Sequence, residues 1–123
     1  MSFSTATPVN VNYPHQHKIR VMNDAGFIGY VGGPDFHDGV VLRVSVEGKR
    51  AEVVVEGYSG REHVVLFEGV NEVEMNAPEG MVLYSLSEMR ATPPLRRFVF
   101  TNSDENHPGF LSVVAKDFYI RSK

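Results

Sequence analysis

The sequence reads as an α+β domain, mostly antiparallel β: a curled β-meander sheet, sandwich- or barrel-like, with one short N-terminal helix near 24–32. Three features lead there. Apolar residues alternate with a period of two from Gly39 onward; Gly48 and Gly60 punctuate that alternation as tight turns; and helical spacing with both a cap and a stop lies in the stretch before Gly32. A chain of 123 residues suits one domain, 1–123. A globule of that size buries roughly two-thirds of its unfolded surface, so a single core suffices.

Residues 1–14 form an irregular lead-in, because Pro8, Asn10, Asn12 and Pro14 break every period while Phe3, Val9, Val11 and Tyr13 suit docking on a sheet edge. His15 to Val21 reads as a short strand. Asn23-Asp24 caps a helix whose apolar face is Ala25, Phe27, Ile28 and Val31, and Gly32-Gly33-Pro34 stops it. From Val40 to Glu47 the even positions are apolar, and Gly48-Lys49 makes a two-residue hairpin turn. Ala51, Val53 and Val55 continue the apolar face. Val64 to Phe67 is apolar on both sides, as an interior strand requires. A fourth strand, Val70 to Met75, turns Val73 and Met75 inward and completes a four-stranded antiparallel meander.

Met81 to Arg90 fits either a strand or a helical stripe; the preceding Pro78 and Gly80 and the neighbouring strands favour a strand. Leu95 to Phe100 is a strand with Phe98 and Phe100 on one face. Asn102 to Pro108 is a polar loop. Phe110 to Ile120 reads as one long closing strand, apolar on both faces and so buried on both.

Composition narrows the chemistry. Zero cysteines exclude disulfides, thiolate zinc sites, iron–sulfur clusters and a cysteine nucleophile, and suit a reducing, cytoplasmic setting. No apolar run approaches the ~20 residues of a spanning helix, and Met1 to Thr5 lacks the basic start and apolar core of a signal peptide. With a formal net charge of −3, neither nucleic acid nor membrane is the expected partner. Phe98 and Phe100 beside Arg96 and Arg97 would stack bases in a nucleic-acid reading, but core phenylalanines explain them better.

Candidate chemistry centres on Asp35-Phe36-His37-Asp38-Gly39. An adjacent histidine and aspartate invite a metal or acid–base role. Neighbours on an extended chain point opposite ways, however, so the simpler expectation is Phe36 in the core, a turn at Asp38-Gly39 and His37 bonded to nearby backbone. His37, Asp38 and His63 are the candidate ligand-binding residues, and His15 and His17 the candidate metal ligands should a third ligand fold beside them. His63, opening an interior strand, is more simply satisfied within the sheet. The loop 102–107 lacks the alternating acids of a calcium site. Gly29 to Gly33 lacks the strand, helix and Lys-Ser context of a phosphate loop. No nucleophile elbow or catalytic constellation is legible, and no cofactor is called for. The chain is expected not to be an enzyme.

Charge is uneven. Residues 43–90 carry nine glutamates against five basic residues, and residues 93–123 five basic against three acidic. Glu52, Glu56, Glu72 and Glu74, with Arg96 and Arg97, are therefore the candidate partner-binding residues. They suit a protein partner or a second copy of the chain, with charge complementarity steering association.

Five segments carry a resemblance. They are Phe36-His37-Asp38-Gly39 before a hairpin, Val65-Leu66-Phe67-Glu68-Gly69-Val70, Pro78-Glu79-Gly80-Met81 with Leu83-Tyr84, Leu95-Arg96-Arg97-Phe98-Val99-Phe100, and Leu111 to Phe118. Through them residues 34–120 resemble a small family of uncharacterised bacterial proteins and, more distantly, are similar to immunity proteins of polymorphic toxin systems. The resemblance implies a stoichiometric binding protein, an immunity-type inhibitor or a homodimeric scaffold, and carries over no catalytic residue.

Overall fold

The computed structural model describes residues 26–104 and 106–123. Among them run nine strands: β1 (Phe27–Tyr30), β2 (Val40–Glu47), β3 (Arg50–Glu56), β4 (Glu62–Glu68), β5 (Glu72–Asn76), β6 (Leu83–Met89), β7 (Arg96–Asn102), β8 (Phe110–Ala115) and β9 (Asp117–Ser122). A single 3-10 turn, Pro34–Phe36, lies between β1 and β2. The strands form two antiparallel sheets, one ordered β1-β6-β7-β8-β5 and the other β2-β3-β4-β9. The described residues therefore form a mostly antiparallel β, two-sheet structure without an α-helix, and the sheets do not close into a barrel.

The helix expected near 24–32 is absent from the described part of that stretch, where Phe27–Tyr30 is an edge strand paired with β6. Residues 24 and 25 lie outside the described residues, as do the lead-in 1–14 and the strand expected at 15–21. Two glycines, Gly26 and Gly29, disfavour a helix there by about 1 kcal/mol each. The exposed edge of β6 offers the same backbone groups ladder bonds instead.

The meander holds for three strands. β2, β3 and β4 follow one another in register, and Gly48 turns the first hairpin with φ +61. The fourth strand leaves that sheet and pairs with β8, while β9 takes the place beside β4. The long closing strand accordingly divides at Lys116. Both crossings occur at one corner: Gly69 adopts φ +66, and the Lys116 amide reaches the carbonyls of Glu68 and Gly69 at 3.1 and 3.2 Å. There the ribbon β4–β9 passes into the ribbon β5–β8, and the inward phase of the closing strand shifts. Leu111, Val113 and Ala115 face the core before the corner, Phe118 and Ile120 after it. A second corner joins β2 to the start of β6 through a Val40–Val82 bridge and the Val41 amide on the Met81 carbonyl at 3.0 Å.

Bulges correct the alternation twice more. The register slips between Val41 and Arg43, so Val41, Val44 and Val46 turn inward while Leu42 is exposed. A slip between Leu83 and Ser85 turns Leu83 and Leu86 inward and leaves Tyr84 exposed. Met75, on the inward side of edge strand β5, lies beyond the cover of the opposite sheet and is exposed.

The core lies between the sheets. Val41, Val53, Val55, Val65 and Phe67 from one meet Leu83, Leu86, Phe98, Phe100, Leu111 and Val113 from the other. Val44→Asp would bring an unpaired charge against this cluster and is expected to lower the melting temperature; an unchanged value would place Val44 outside the packed face. At one end the core admits a charge pair. Arg96 grips Glu88, which is 9% exposed, through two 2.9 Å hydrogen bonds, and its guanidinium lies over the rings of Phe98 and Phe118 at 5.3 and 5.2 Å. Arg96→Met alone strands the Glu88 carboxylate. It is expected to destabilise more than Arg96→Met with Glu88→Leu, measured by urea unfolding.

Candidate functional site

The residues that converge lie where the 3-10 turn meets the β3–β4 loop and the end of β9. Pro34 opens the turn, and Phe36 anchors it in the core. Asp35 is thereby aimed at the β3–β4 loop. Its Oδ1 accepts the Ser59 amide at 2.9 Å; its Oδ2 accepts the Ser59 hydroxyl and the His63 Nε2–H, both at 2.8 Å. Its carbonyl takes the Tyr58 amide at 3.0 Å. Gly57 makes this approach possible, since a methyl group there would overlap the Asp35 carboxylate.

His63 is 7% exposed, with its ring 5.0 Å from that of Phe36. An ionised carboxylate only accepts, so in the neutral ring Nε2 carries the proton, and Nδ1 accepts the Ser122 hydroxyl at 2.7 Å. The three residues form a line, Asp35–His63–Ser122, tying the turn to β4 and β9.

The His63 hydrogen bond, followed by the two from Ser59, lowers the Asp35 pKa from 3.8 to about 2. A depressed carboxyl stabilises the fold above its unfolded pKa, and that contribution is lost as pH falls through the folded one. Stability is therefore expected to drop between about pH 4 and pH 2 more steeply in the wild type than in Asp35→Asn. Equal slopes in urea titrations across that window would remove Asp35 from this role.

On the solvent side of the turn His37 donates Nδ1–H to the Tyr84 carbonyl at 3.1 Å, and its ring meets that of Tyr84 edge-on at 5.4 Å. Asp38 adopts φ +68, which takes it out of the extended conformation assumed for the pair. The side chains consequently meet, with His37 Nε2 3.8 Å from Asp38 Oδ2. Pro34, Asp35, His37, Asp38 and Tyr58 line an open hollow of about 440 Å³. The Tyr58 ring beside it is 77% exposed. Tyr84 and Tyr30, both exposed, extend the aromatic surface with ring centroids 6.4 Å apart, and the Tyr84 hydroxyl, hydrogen-bonded to the Tyr30 phenol, raises the latter's pKa.

The candidate residues do not gather as one set. His37 and Asp38 share the hollow, and His63 reaches it only through Asp35. His15 and His17 lie outside the described residues, and among those described no three histidine, aspartate or glutamate side chains are placed to hold a metal ion. Glu52 and Glu56 project from the outer face of the four-stranded sheet. Glu72, Glu74 and Arg97 project from that of the five-stranded sheet, where burial and then Glu72 raise the Glu74 pKa while Arg97 lowers it. Arg96 is committed to Glu88. The acidic hairpins therefore present two opposed surfaces rather than one.

Tyr58, Ser59 and Ser122 are the participants that sequence reasoning missed, and Asp35, though inside the segment singled out, was given no role of its own. They stand 23 to 59 positions from their partners, and the only local signal at Tyr58 and Ser59 was that of the tight turn at Gly60. No helix among the described residues is long and apolar enough to cross a membrane. No family model, curated protein or solved structure matches the chain.

Proposed function

We propose that the protein is a non-catalytic binding module that receives a cationic side chain of a protein partner in the hollow at Asp35, Asp38 and Tyr58. The supporting observation is the composition of that hollow. An ionised carboxylate held by three donors and an exposed second carboxylate stand beside a phenol ring open to solvent. A guanidinium suits all three, pairing with carboxylate and stacking on the ring. Exposed tyrosines around a polar hollow are also what interface anchors look like. An immunity-type role, with a toxin as the stoichiometric partner, is the form of this reading that the family resemblance implies.

N-acetyl-arginine amide serves as the probe. Saturable amide shifts at Asp35, Asp38 and Tyr58, weakened at least fivefold in Tyr58→Ala and Asp38→Asn, are expected by NMR titration. Equal shifts from the uncharged N-acetyl-norleucine amide would overturn the reading.

A second reading takes Ser122 as a nucleophile, favoured by the 2.7 and 2.8 Å spacings of the Asp35–His63–Ser122 line. Attack by Oγ would pass its proton to His63 Nδ1, which would return it to the leaving group. The ring nitrogens are used in the opposite sense to a serine-protease triad, Nδ1 facing the serine. A fluorophosphonate adduct on Ser122, lost in His63→Gln, would support it, and an unmodified mass would exclude it.

A further inference from the structure

Among the described residues four strands lie at sheet edges: β1 and β5 in one sheet, β2 and β9 in the other. An edge strand presents unpaired N–H and C=O groups, which proteins either defend or pair. Three of these edges are defended. β2 is covered where the Val41 amide and carbonyl meet Met81 and Gly80, and where the Glu79 carboxylate accepts the Val44 amide at 3.3 Å. β1 has only four residues and a register slip between Phe27 and Gly29. β5 carries Glu72 and Glu74, whose like charges would repel those of a second copy. β9 has none of these devices. Its six residues, Asp117–Ser122, pair with β4 without a slip, and none of them is buried. Phe118 and Ile120 pack against the core yet stay half-exposed at its rim.

We propose that a second copy of this chain pairs with β9, antiparallel about a two-fold axis at Tyr119, joining two four-stranded sheets into one. The backbone has the phase this needs. The Lys123 amide bonds the Glu62 carbonyl, so in register the amides of Tyr119 and Arg121 also turn toward β4, and those of Phe118 and Ile120 turn outward. Phe118 can then exchange both backbone bonds with the partner's Ile120, and Ile120 with the partner's Phe118, which closes the apolar rim. On the outer face Tyr119, 54% exposed, meets the partner's Tyr119, and Asp117 stands opposite the partner's Arg121 on both sides of the axis. Within one chain Asp117 and Arg121 are about 13 Å apart along the strand, too far to pair. Neither joins an ion pair among the described residues, and Arg96, on which the Asp117 charge acts, is committed to Glu88. The neighbouring two-fold register would set Asp117 against the partner's Lys123, but Lys123 already holds Glu62 at 3.3 Å. The inference stands apart from the hollow and from what binds there.

Sedimentation velocity from micromolar to submillimolar protein at low salt is expected to show a monomer–dimer equilibrium. Asp117→Arg puts like charges at both contacts and should weaken dimerisation about tenfold or more, as should Arg121→Asp. Asp117→Arg combined with Arg121→Asp restores opposite charges and should regain the wild-type constant. These side chains are exposed, and circular dichroism checks that each variant folds. The chain has no cysteine, so Tyr119→Cys should also cross-link into a covalent dimer under mild oxidation. A monomer at every concentration would overturn the proposal. So would single reversals that leave the dimer intact, or a double variant no tighter than the singles, since either assigns association to another surface or register.

Discussion

Phe67→Ala is expected to lower the unfolding free energy by about 3–5 kcal/mol, the range for removing a phenyl ring from a rigid core. Phe67 is fully buried on β4, with Phe98, Phe100 and Phe118 at centroid distances of 5.3, 6.2 and 6.4 Å. Its neighbours come from both sheets and from beyond the Lys116 corner, so no single strand can move to fill the void. Of a total stability of roughly 5–15 kcal/mol the loss would be a large share. Phe67→Leu, which keeps most of the volume, is expected to lose less than half as much. Urea midpoints of the two variants decide the matter. Similar small losses in both would mean that the sheets are not packed through this ring.

Gly57→Ala is expected to destabilise by about 2–3 kcal/mol although it adds a single methyl group, because that methyl takes the place of the Asp35 carboxylate. Displacing the carboxylate breaks its bonds to Ser59 and leaves the His63 Nε2–H, in a ring only 7% exposed, without its acceptor. A double-mutant cycle isolates the cause. In an Asp35→Ala background the clash is gone, and Gly57→Ala should then cost about 1 kcal/mol or less. The same loss in both backgrounds would show that Gly57 is needed for the backbone of the loop and not for the approach of Asp35.

Much of the strand content was legible along the chain, because alternation reports which face of a strand is buried and glycine reports where a hairpin turns. Val53 and Val55, Phe98 and Phe100, and Leu111 and Val113 were readable in this way. The misreadings have a common physical origin. A bulge adds one residue without altering composition, so Leu42 and Tyr84 slipped out of phase. At Gly69 and Lys116 two strands change sheets together, and that joint bend depends on contacts between residues 47 positions apart. Helical spacing at Ala25 to Val31 was real but yielded to the open edge of β6, where pairing satisfies the backbone of a glycine-containing segment better than an isolated short helix would.

The site divides along the same line. Local chemistry alone determined that Phe36 enters the core and that Asp38 turns, since each follows from the residue type and its immediate neighbours, whereas the backbone partner expected close to His37 is the Tyr84 carbonyl, 47 positions away on β6. Only the tertiary structure decided that Asp35 meets His63 and Ser122, that the glutamates of the hairpins separate onto opposed faces, and that Arg96 turns inward to Glu88. Those outcomes depend on which sheet each strand joins. Side-chain periodicity says which residues share a face of one strand, but pairing between distant strands says which faces meet.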